Sequence, residues 1–296
     1  QDAALQNGRA NDGLSVAAED WPWWRGPLRN GTANPDHRLP LEFGEGKNML
    51  WKAKVPGRGH GSPTVVGNRL FLATADEVSG AQWLLCYDRE SGESLWQTEI
   101  HASGGMRKNE RSTAGSSTPA CDGERVYICF PNNDKLIASA VTLTGEMVWQ
   151  REISNYVMHQ GYGASPALYQ QLVIVAADNK SGGAVAALDA KSGDVVWRRE
   201  RPQTPNYPSP ILVHVDGKDQ VIMVGCDAVV SYDPLTGSTL WEVAGATTEC
   251  VTSTLTDGQL VYTSGGYPKN HMSAIRADGS GELVWENDSR LYVPSL

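Results

Sequence analysis

A turn that recurs along the chain constrains its fold more than any other feature. Each of three copies places an Asp eight residues, and a Gly four residues, ahead of a Trp, and these copies end at Trp96, Trp197 and Trp241. An Asp carboxylate can accept hydrogen bonds from the N–H groups of its own turn, and Gly adopts positive φ without a steric penalty. The pattern predicts a tight turn that leads into a β-strand.

Two further copies, ending at Trp149 and Trp285, keep the Gly-to-Trp spacing but carry Thr142 and Arg276 near the position of the Asp. The steps between successive Trp residues are 53, 48, 44 and 44 residues. A period in the mid-forties that consists of short strands and turns is typical of a β-propeller blade. The head of an apolar strand precedes each Trp and is marked by Ser62-Pro63, Thr118-Pro119, Ser165-Pro166, Ser209-Pro210 and Ser253-Thr254.

The repeats predict an all-β fold, a β-propeller of four-stranded blades, because no segment shows a helical period. Five complete blades are expected, and we expect the intact ring to have about seven or eight. The predicted third blade contains strands over 165–168, 172–177, 184–189 and 194–199. The blades are predicted to span about 57–100, 111–152, 161–200, 205–243 and 249–286, with 290–296 opening a sixth.

The segments before the first blade have separate predicted roles. Residues 1–20 are expected to form a flexible lead, and residues 21–45 a Trp-rich hook that packs against the propeller rim. An exposed patch for a partner or a carbohydrate, built from Trp21, Trp23 and Trp24, is the alternative. Residues 46–54 resemble the outer strand of a blade and predict a closing blade. We expect its other strands to lie in a longer chain, or else in a second polypeptide.

Composition excludes several classes of function. A formal net charge of −9 and a pI near 5.2 argue against a nucleic-acid-binding protein, which usually presents a basic face. The chain has no apolar run long enough for a transmembrane helix. Its five Cys residues form no CxxC motif, so neither a disulfide framework nor a zinc site is predicted. Cys226 and Cys250 could approach each other between blades, although buried free thiols are favoured.

The repeated turn resembles the tryptophan-docking motif of the PQQ-like, quinoprotein-type propellers. The resemblance runs from about residue 46 to the end and implies that the Trp residues tie neighbouring blades together. That family includes PQQ-dependent dehydrogenases and a non-enzymatic lipoprotein of the outer-membrane assembly machine, and the Trp24–Pro27 opening looks like secreted planctomycete-type members. The residues that match the motif are Asp88, Gly92, Trp96, Gly145, Trp149, Asp189, Gly193, Trp197, Asp233, Gly237, Trp241, Gly281 and Trp285.

The resemblance implies a secreted or periplasmic protein that could associate with the outer membrane. Enzymes of the family hold PQQ with Ca²⁺ and stack the quinone between a Trp and an adjacent Cys-Cys disulfide, with an Asp as base. This sequence has no Cys-Cys pair and no Cys-x-x-Cys-His motif. We therefore predict neither PQQ nor Ca²⁺ and assign no catalytic or metal-binding residue.

The loops that lead into each first strand are expected to surround one mouth of a central funnel, where propellers bind ligands or peptides. His60 and His159 are the first choices, because glycines flank both and let the backbone approach the axis. A metal centre would need a third ligand, for which Glu249 is the candidate. The alternative is an ordinary water-filled funnel. The candidate residues are Arg58, His60, Arg107, Lys108, Arg111, His159, Tyr162, Asn206, Tyr207 and Glu249.

These observations predict a rigid platform for protein–protein interaction in the bacterial cell envelope. The alternatives are a quinoprotein-like oxidoreductase, a hydrolase or another small-ligand site in the funnel, and carbohydrate binding. The protein partner is not identified by the sequence, and nucleic acid is excluded. If the chain is part of a larger ring, its open blade faces predict self-association.

Overall fold

The computed structural model describes residues 13–14, 17, 19–107, 110–215 and 217–292. These residues form twenty β-strands and no helix, arranged as five four-stranded antiparallel sheets. In every sheet the strands lie in chain order, so each sheet is one propeller blade. This confirms the predicted all-β propeller. Among the described residues, no helical segment has the length and apolarity that a membrane span requires.

The strand bounds follow the predicted blades closely. Blade 1 contains β1 (Thr64–Val66), β2 (Arg69–Ala75), β3 (Gln82–Asp88) and β4 (Ser94–His101). Blade 2 contains β5 (Ala120–Cys121), β6 (Arg125–Asn132), β7 (Lys135–Thr142) and β8 (Met147–Asn155). Blade 3 contains β9 (Ala167–Tyr169), β10 (Leu172–Ala176), β11 (Gly183–Asp189) and β12 (Val195–Arg201).

Blade 4 contains β13 (Ile211–Val215), β14 (Lys218–Gly225), β15 (Ala228–Tyr232) and β16 (Thr239–Ala244). Blade 5 contains β17 (Leu255–Thr256), β18 (Leu260–Gly265), β19 (His271–Arg276) and β20 (Leu283–Asn287). First strands of neighbouring blades contact each other, β1 with β5 and β9 with β13. The first strands therefore surround the central channel, and the fourth strands form the outer edge.

The predicted turn chemistry is present between the third and fourth strands. Asp189 Oδ1 accepts hydrogen bonds from the N–H groups of Lys191 and Ser192 at 2.9 and 2.8 Å. Asp233 makes the same pair of contacts in blade 4. Gly193 has φ of 72°, in the left-handed region that favours glycine.

A β-bulge precedes the Trp in every blade, a feature that the sequence pattern did not reveal. Trp197 pairs with Ala187, but Leu188 pairs with Val195, so Val196 is the extra residue. The bulge changes the strand's inside–outside alternation, so the extra residue is exposed while the Trp faces the next blade. The extra residues are Leu95, Val148, Val196, Leu240 and Val284.

Trp96, Trp149 and Trp197 each contact the turn of the following blade. The indole N–H of Trp149 donates to the Ala190 carbonyl at 3.1 Å, and that of Trp197 to the Pro234 carbonyl at 2.8 Å. The ring of Trp149 lies so close to Gly193 that an added Cβ would be 2.6 Å from it. The turn Gly therefore has two roles: it adopts positive φ and leaves room for the indole.

Trp241 departs from this arrangement. Its indole N–H donates to Gln220 Oε1 at 2.8 Å, within its own blade. The Gln220 amide in turn donates to the Ala277 carbonyl of blade 5 at 2.6 Å. Ala277 occupies the position in its turn that Ala190 occupies in blade 3. Gln220 therefore bridges the Trp241 indole to the blade 5 carbonyl that the indole does not bond directly.

Trp51 occupies the equivalent docking position on blade 1. Its indole N–H donates to the Arg89 carbonyl at 2.9 Å, and its ring lies against Gly92. Residues 49–56 form no strand in the structure, unlike the predicted outer strand. The closing blade and the size of the ring stay predictions. Most of the 1–20 lead, and residues 293–296 of the expected sixth blade, lie outside the described residues.

The Trp-rich segment lies inside the channel, so its predicted place at the rim is wrong. Trp21 exchanges backbone hydrogen bonds with Val65 of β1, at 2.7 and 2.9 Å. The Pro22 carbonyl then accepts from the Cys121 N–H of β5 at 2.8 Å. Arg29 donates to the Leu168 carbonyl of β9 at 2.8 Å. We call residues 20–31 the channel segment.

The channel segment also reaches the last two blades. Residues 28–30 line a small void together with residues 211–213 of β13 and residues 254–256 around β17. The Trp23 side chain is 1% exposed, and the Arg29 guanidinium lies 4.2 Å from its ring centroid. The segment thus contacts the innermost strands of blades 1 to 3 and borders those of blades 4 and 5. The channel segment has neither helical nor strand periodicity. It fits inside the channel because its partners are the backbones of the first strands.

Candidate functional site

A cavity of about 840 Å³ opens at one mouth of the channel. The loops that lead into the first strands of all five blades contribute to its wall. The channel segment contributes Trp24. Its lining residues are Trp24, His60, Arg111, Ser112, Ser116, Thr118, His159, Gln160, Gly161, Tyr162, Gly163, Ser165, Tyr207, Glu249, Val251, Tyr267 and Tyr292.

His60 reaches the cavity because its backbone packs tightly on the neighbouring loop. Its N–H donates to the Gly115 carbonyl at 3.2 Å. A Cβ on Gly59 would lie 2.7 Å from the Gly115 oxygen, so a larger residue could not pass there. The flanking glycines therefore allow a close approach, and the His60 side chain is exposed.

His159, Tyr207 and Glu249 come together from three different blades. His159 Nδ1 lies 2.9 Å from Tyr207 Oη and 3.4 Å from Glu249 Oε2. All three side chains are partly buried. Burial raises the pKa of the Tyr207 hydroxyl, and the Glu249 carboxylate raises it further, so this hydroxyl remains a hydrogen-bond donor. We call these three residues the mouth triad.

Tyr162 and Asn206 are placed differently from the expectation that they face the funnel. Tyr162 borders the cavity, but it is 5% exposed and its hydroxyl donates to the Ala176 carbonyl at 3.1 Å. The Asn206 side chain is also 5% exposed and is not part of the wall. Its amide donates to the Val224 carbonyl and its oxygen accepts from the Cys250 N–H at 2.7 Å. Asn206 therefore joins blades 4 and 5.

Three of the predicted cationic residues fall into two groups. Arg58 and Arg107 both approach Glu77 Oε1, at 3.1 and 3.5 Å, and neither is part of the cavity wall. Arg111 lines the cavity. Lys108 lies outside the described residues. Arg58, Glu77 and Arg107 form an exposed charged cluster.

Several wall residues escaped the sequence analysis. Trp24 reaches the cavity only because the channel segment threads the ring. Tyr267 precedes β19 and is 50% exposed, and Tyr292 follows blade 5 and is 42% exposed. Only the lead-in loops carried a sequence signal, namely the Ser/Thr-Pro pairs, so residues from other segments could not be assigned.

All five cysteines are free thiols. Burial raises the pKa of Cys226 to about 12 and that of Cys250 to about 11. Cys226 Sγ lies 3.9 Å from Asp178 Oδ2, and the Cys250 thiol lies 3.6 Å from the Thr247 carbonyl. Cys250 is buried, as expected of a free thiol, whereas Cys226 is only partly buried and lies among polar groups.

The mouth triad does not fit an ion-and-quinone unit of the quinoprotein type. Within the described part of the chain, no group of three or more His, Cys, Asp or Glu side chains is placed to hold a metal ion. The triad offers one carboxylate and one imidazole, which already contact each other at 3.4 Å. The absence of PQQ and Ca²⁺ stays a prediction.

The chain is similar to known proteins of two kinds, a dehydrogenase and an outer membrane assembly factor. It is 25% identical over 214 residues to a polyvinylalcohol dehydrogenase from Pseudomonas sp, covering 68% of this chain and 32% of that protein. It is 27% identical over 166 residues to the outer membrane protein assembly factor BamB of Moranella endobia (strain PCIT), covering 56% of this chain and 37% of that protein. The chain thus spans about a third of these relatives' length.

Two solved structures share the fold. BamB from Moraxella catarrhalis superposes with a TM-score of 0.57 at 19% identity, covering 83% of this chain and 69% of that one. The quinohemoprotein alcohol dehydrogenase from Comamonas testosteroni gives 0.59 at 14% identity, covering 98% and 52%. A family model described as outer membrane protein assembly factor BamB matches residues 44–154 and 80–294. The chain therefore belongs to this family of PQQ-like β-propeller repeat proteins.

Proposed function

We propose that this propeller is a binding platform for a protein partner in the bacterial cell envelope. The observation that carries the proposal is the convergence of five lead-in loops on one face. Exposed Tyr267 and Tyr292 line the cavity on that face. Arg58 and Arg107, which both pair with Glu77, belong to the lead-in loops of blades 1 and 2. Tyr and Arg are the side chains that protein interfaces favour, because they combine apolar contact with directed hydrogen bonds.

The scaffold beneath this face suits a rigid platform. Trp149 and Trp197 connect their blades to the next, and the channel segment is hydrogen-bonded to the innermost strands of blades 1 to 3. Loops on a stiff framework lose less conformational freedom when a partner binds. Membership of a family described as an outer membrane assembly factor supports a location in the periplasm or at the outer membrane.

Site-specific photocrosslinking of the full-length protein in the cell envelope tests the proposal. A photoreactive amino acid at position 267 or 292 is expected to give one discrete protein adduct. The matched control is Val196, which is 51% exposed on the outer edge of blade 3. Equal adducts from all three positions, or none from the two Tyr positions, would contradict a partner site at the mouth.

A quinoprotein-like oxidoreductase or another small-ligand function is the second candidate. The cavity volume lies in the range of small-molecule sites, and one relative is a dehydrogenase by name. Calorimetric titration of the full-length protein with PQQ and Ca²⁺ separates the two candidates. Micromolar or tighter binding, about −8 kcal/mol or better, would favour the oxidoreductase.

A further inference from the structure

We propose that the cavity interior binds a neutral, hydroxyl-rich ligand of the carbohydrate class, with Trp24 as the aromatic surface at its channel end. This goes beyond the protein-binding function, which concerns the face around the cavity. It differs also from an exposed patch of three tryptophans. Trp23 is 1% exposed, and only Trp24 of that cluster lines the cavity.

The charge of the wall selects a neutral ligand. Of the 17 described wall residues, Arg111 carries a positive charge and Glu249 a negative one, so with neutral His the wall has no net charge. This differs from the chain as a whole, whose formal net charge is −9. A wall without net charge offers no Coulombic preference for an anion or a cation.

The polar groups of the wall suit a ligand that both donates and accepts hydrogen bonds. Serine hydroxyls, the Gln160 amide and the mouth triad supply both kinds of partner within one cavity. In the triad, the protonated Tyr207 hydroxyl lies 2.9 Å from His159 Nδ1. Glu249 is a carboxylate acceptor, and hydrogen bonds to a charged acceptor are the stronger kind. A sugar presents many hydroxyls, each of which can donate or accept a hydrogen bond.

Aromatic residues alternate with these polar groups. Trp24, Tyr207, Tyr267 and Tyr292 line the same cavity as the triad. Such side chains join an apolar body to a polar tip, which matches the apolar C–H faces and hydroxyl edges of a sugar ring. The channel segment holds Trp24 in place, because its neighbour Trp23 is buried and Pro22 is hydrogen-bonded to β5.

Binding of cellohexaose and maltohexaose to the full-length chain tests the inference, with hexagalacturonate as the charged comparison. At least one neutral hexaose is expected to bind with a Kd of about 1 mM or tighter, and the charged one more weakly. Trp24→Ala is expected to weaken binding by about fivefold or more, whereas Trp24→Phe keeps most of it. Glu249→Gln is expected to weaken binding as well.

Trp285→Ala is the matched control, because Trp285 lies on β20 outside the cavity and is 39% exposed. It should leave hexaose binding unchanged. Calorimetry reports affinity, and the near-ultraviolet circular dichroism of each variant reports whether the fold is intact. No binding of either neutral hexaose, tighter binding of hexagalacturonate, or equal loss in folded Trp24→Ala and Trp285→Ala would overturn the inference. Binding of a neutral hexaose by a chain that gives no protein adduct at positions 267 and 292 would support this inference and refute the platform.

Discussion

Replacing Asp178 by Asn tests how strongly one buried ion pair within blade 3, between the β10–β11 loop and the end of β12, stabilises the fold. Asp178 and Arg201 have side chains that are both 3% exposed, and their closest atoms are 2.9 Å apart. Arg201 Nε also lies 3.1 Å from Asp178 Oδ1, so the contact is bidentate. Burial alone would lower the pKa of Arg201, but the Asp178 carboxylate outweighs it and the net direction is upward.

Asp178→Asn leaves the guanidinium buried without a counter-charge. Losing one partner of such a pair costs about 3–5 kcal/mol, because the remaining charge stays desolvated. With a slope of about 3 kcal/mol per molar urea, a cost near 3 kcal/mol lowers the unfolding midpoint by about 1 M. Urea denaturation followed by Trp fluorescence measures this shift.

The exposed pair of Arg151 and Asp194 provides the control, because its closest atoms are also 2.9 Å apart. Its side chains are 40% and 74% exposed, so Asp194→Asn is expected to cost less than about 1 kcal/mol. A double variant, Asp178→Leu with Arg201→Met, removes both buried charges and should recover most of the lost stability. Equal costs for the two Asn variants would refute the reasoning.

The remaining predictions concern docking, acid stability and thiol reactivity. Gly193→Ala should lower the free energy of unfolding by about 2 kcal/mol or more, because φ is positive and the Trp149 indole occupies the space that the new Cβ would need. The control is Gly67→Ala, where φ is also positive but the space is open, and it should cost about 1 kcal/mol. Gln220→Leu breaks the relay to blade 5 and should cost about 1–3 kcal/mol in the same urea assay. Hydrogen bonds from Ser192 and Lys191 lower the pKa of Asp189 below 3.8. Its contribution to folding stability is therefore present above pH 3.8 and is lost as the pH falls through the lower pKa of the folded state. Asp189→Asn should flatten the acid end of a plot of urea midpoint against pH. Burial raises the pKa of Cys129 to about 12, so maleimide at about pH 8 should label it only after unfolding.

One further expectation remains open to direct measurement. Self-association through open blade faces stays a prediction, which gel filtration of this chain would test. Trp285 is 39% exposed and stacks on Tyr262 at a centroid distance of 6.3 Å, so it offers an apolar surface on blade 5. A monomeric elution volume would contradict the expectation.

Local periodicity predicted the blades because each is a continuous stretch of chain whose strands pair with their neighbours. The predicted third-blade strands agree with β9 to β12 within two residues, and the turn Asp and Gly residues have the expected roles. The bulges were not predictable in this way. The extra residue lies within the motif itself, so the spacing from Asp to Trp does not reveal it. The bulge alters only which side chains face outward, as at Val196.

Long-range contacts explain the features that sequence reasoning missed. Arg29 bonds to Leu168, 139 residues away, and no local pattern encodes that a Trp-rich segment will lie in the channel rather than on the rim. Asn206 shows the complementary limit: it belongs to a lead-in loop, yet the loop turns its amide towards Val224 and Asp178. A lead-in loop has one side facing the funnel and one facing the next blade, and sequence position alone does not separate them. Through Trp24, the channel segment contributes to a cavity whose other walls come from distant repeats.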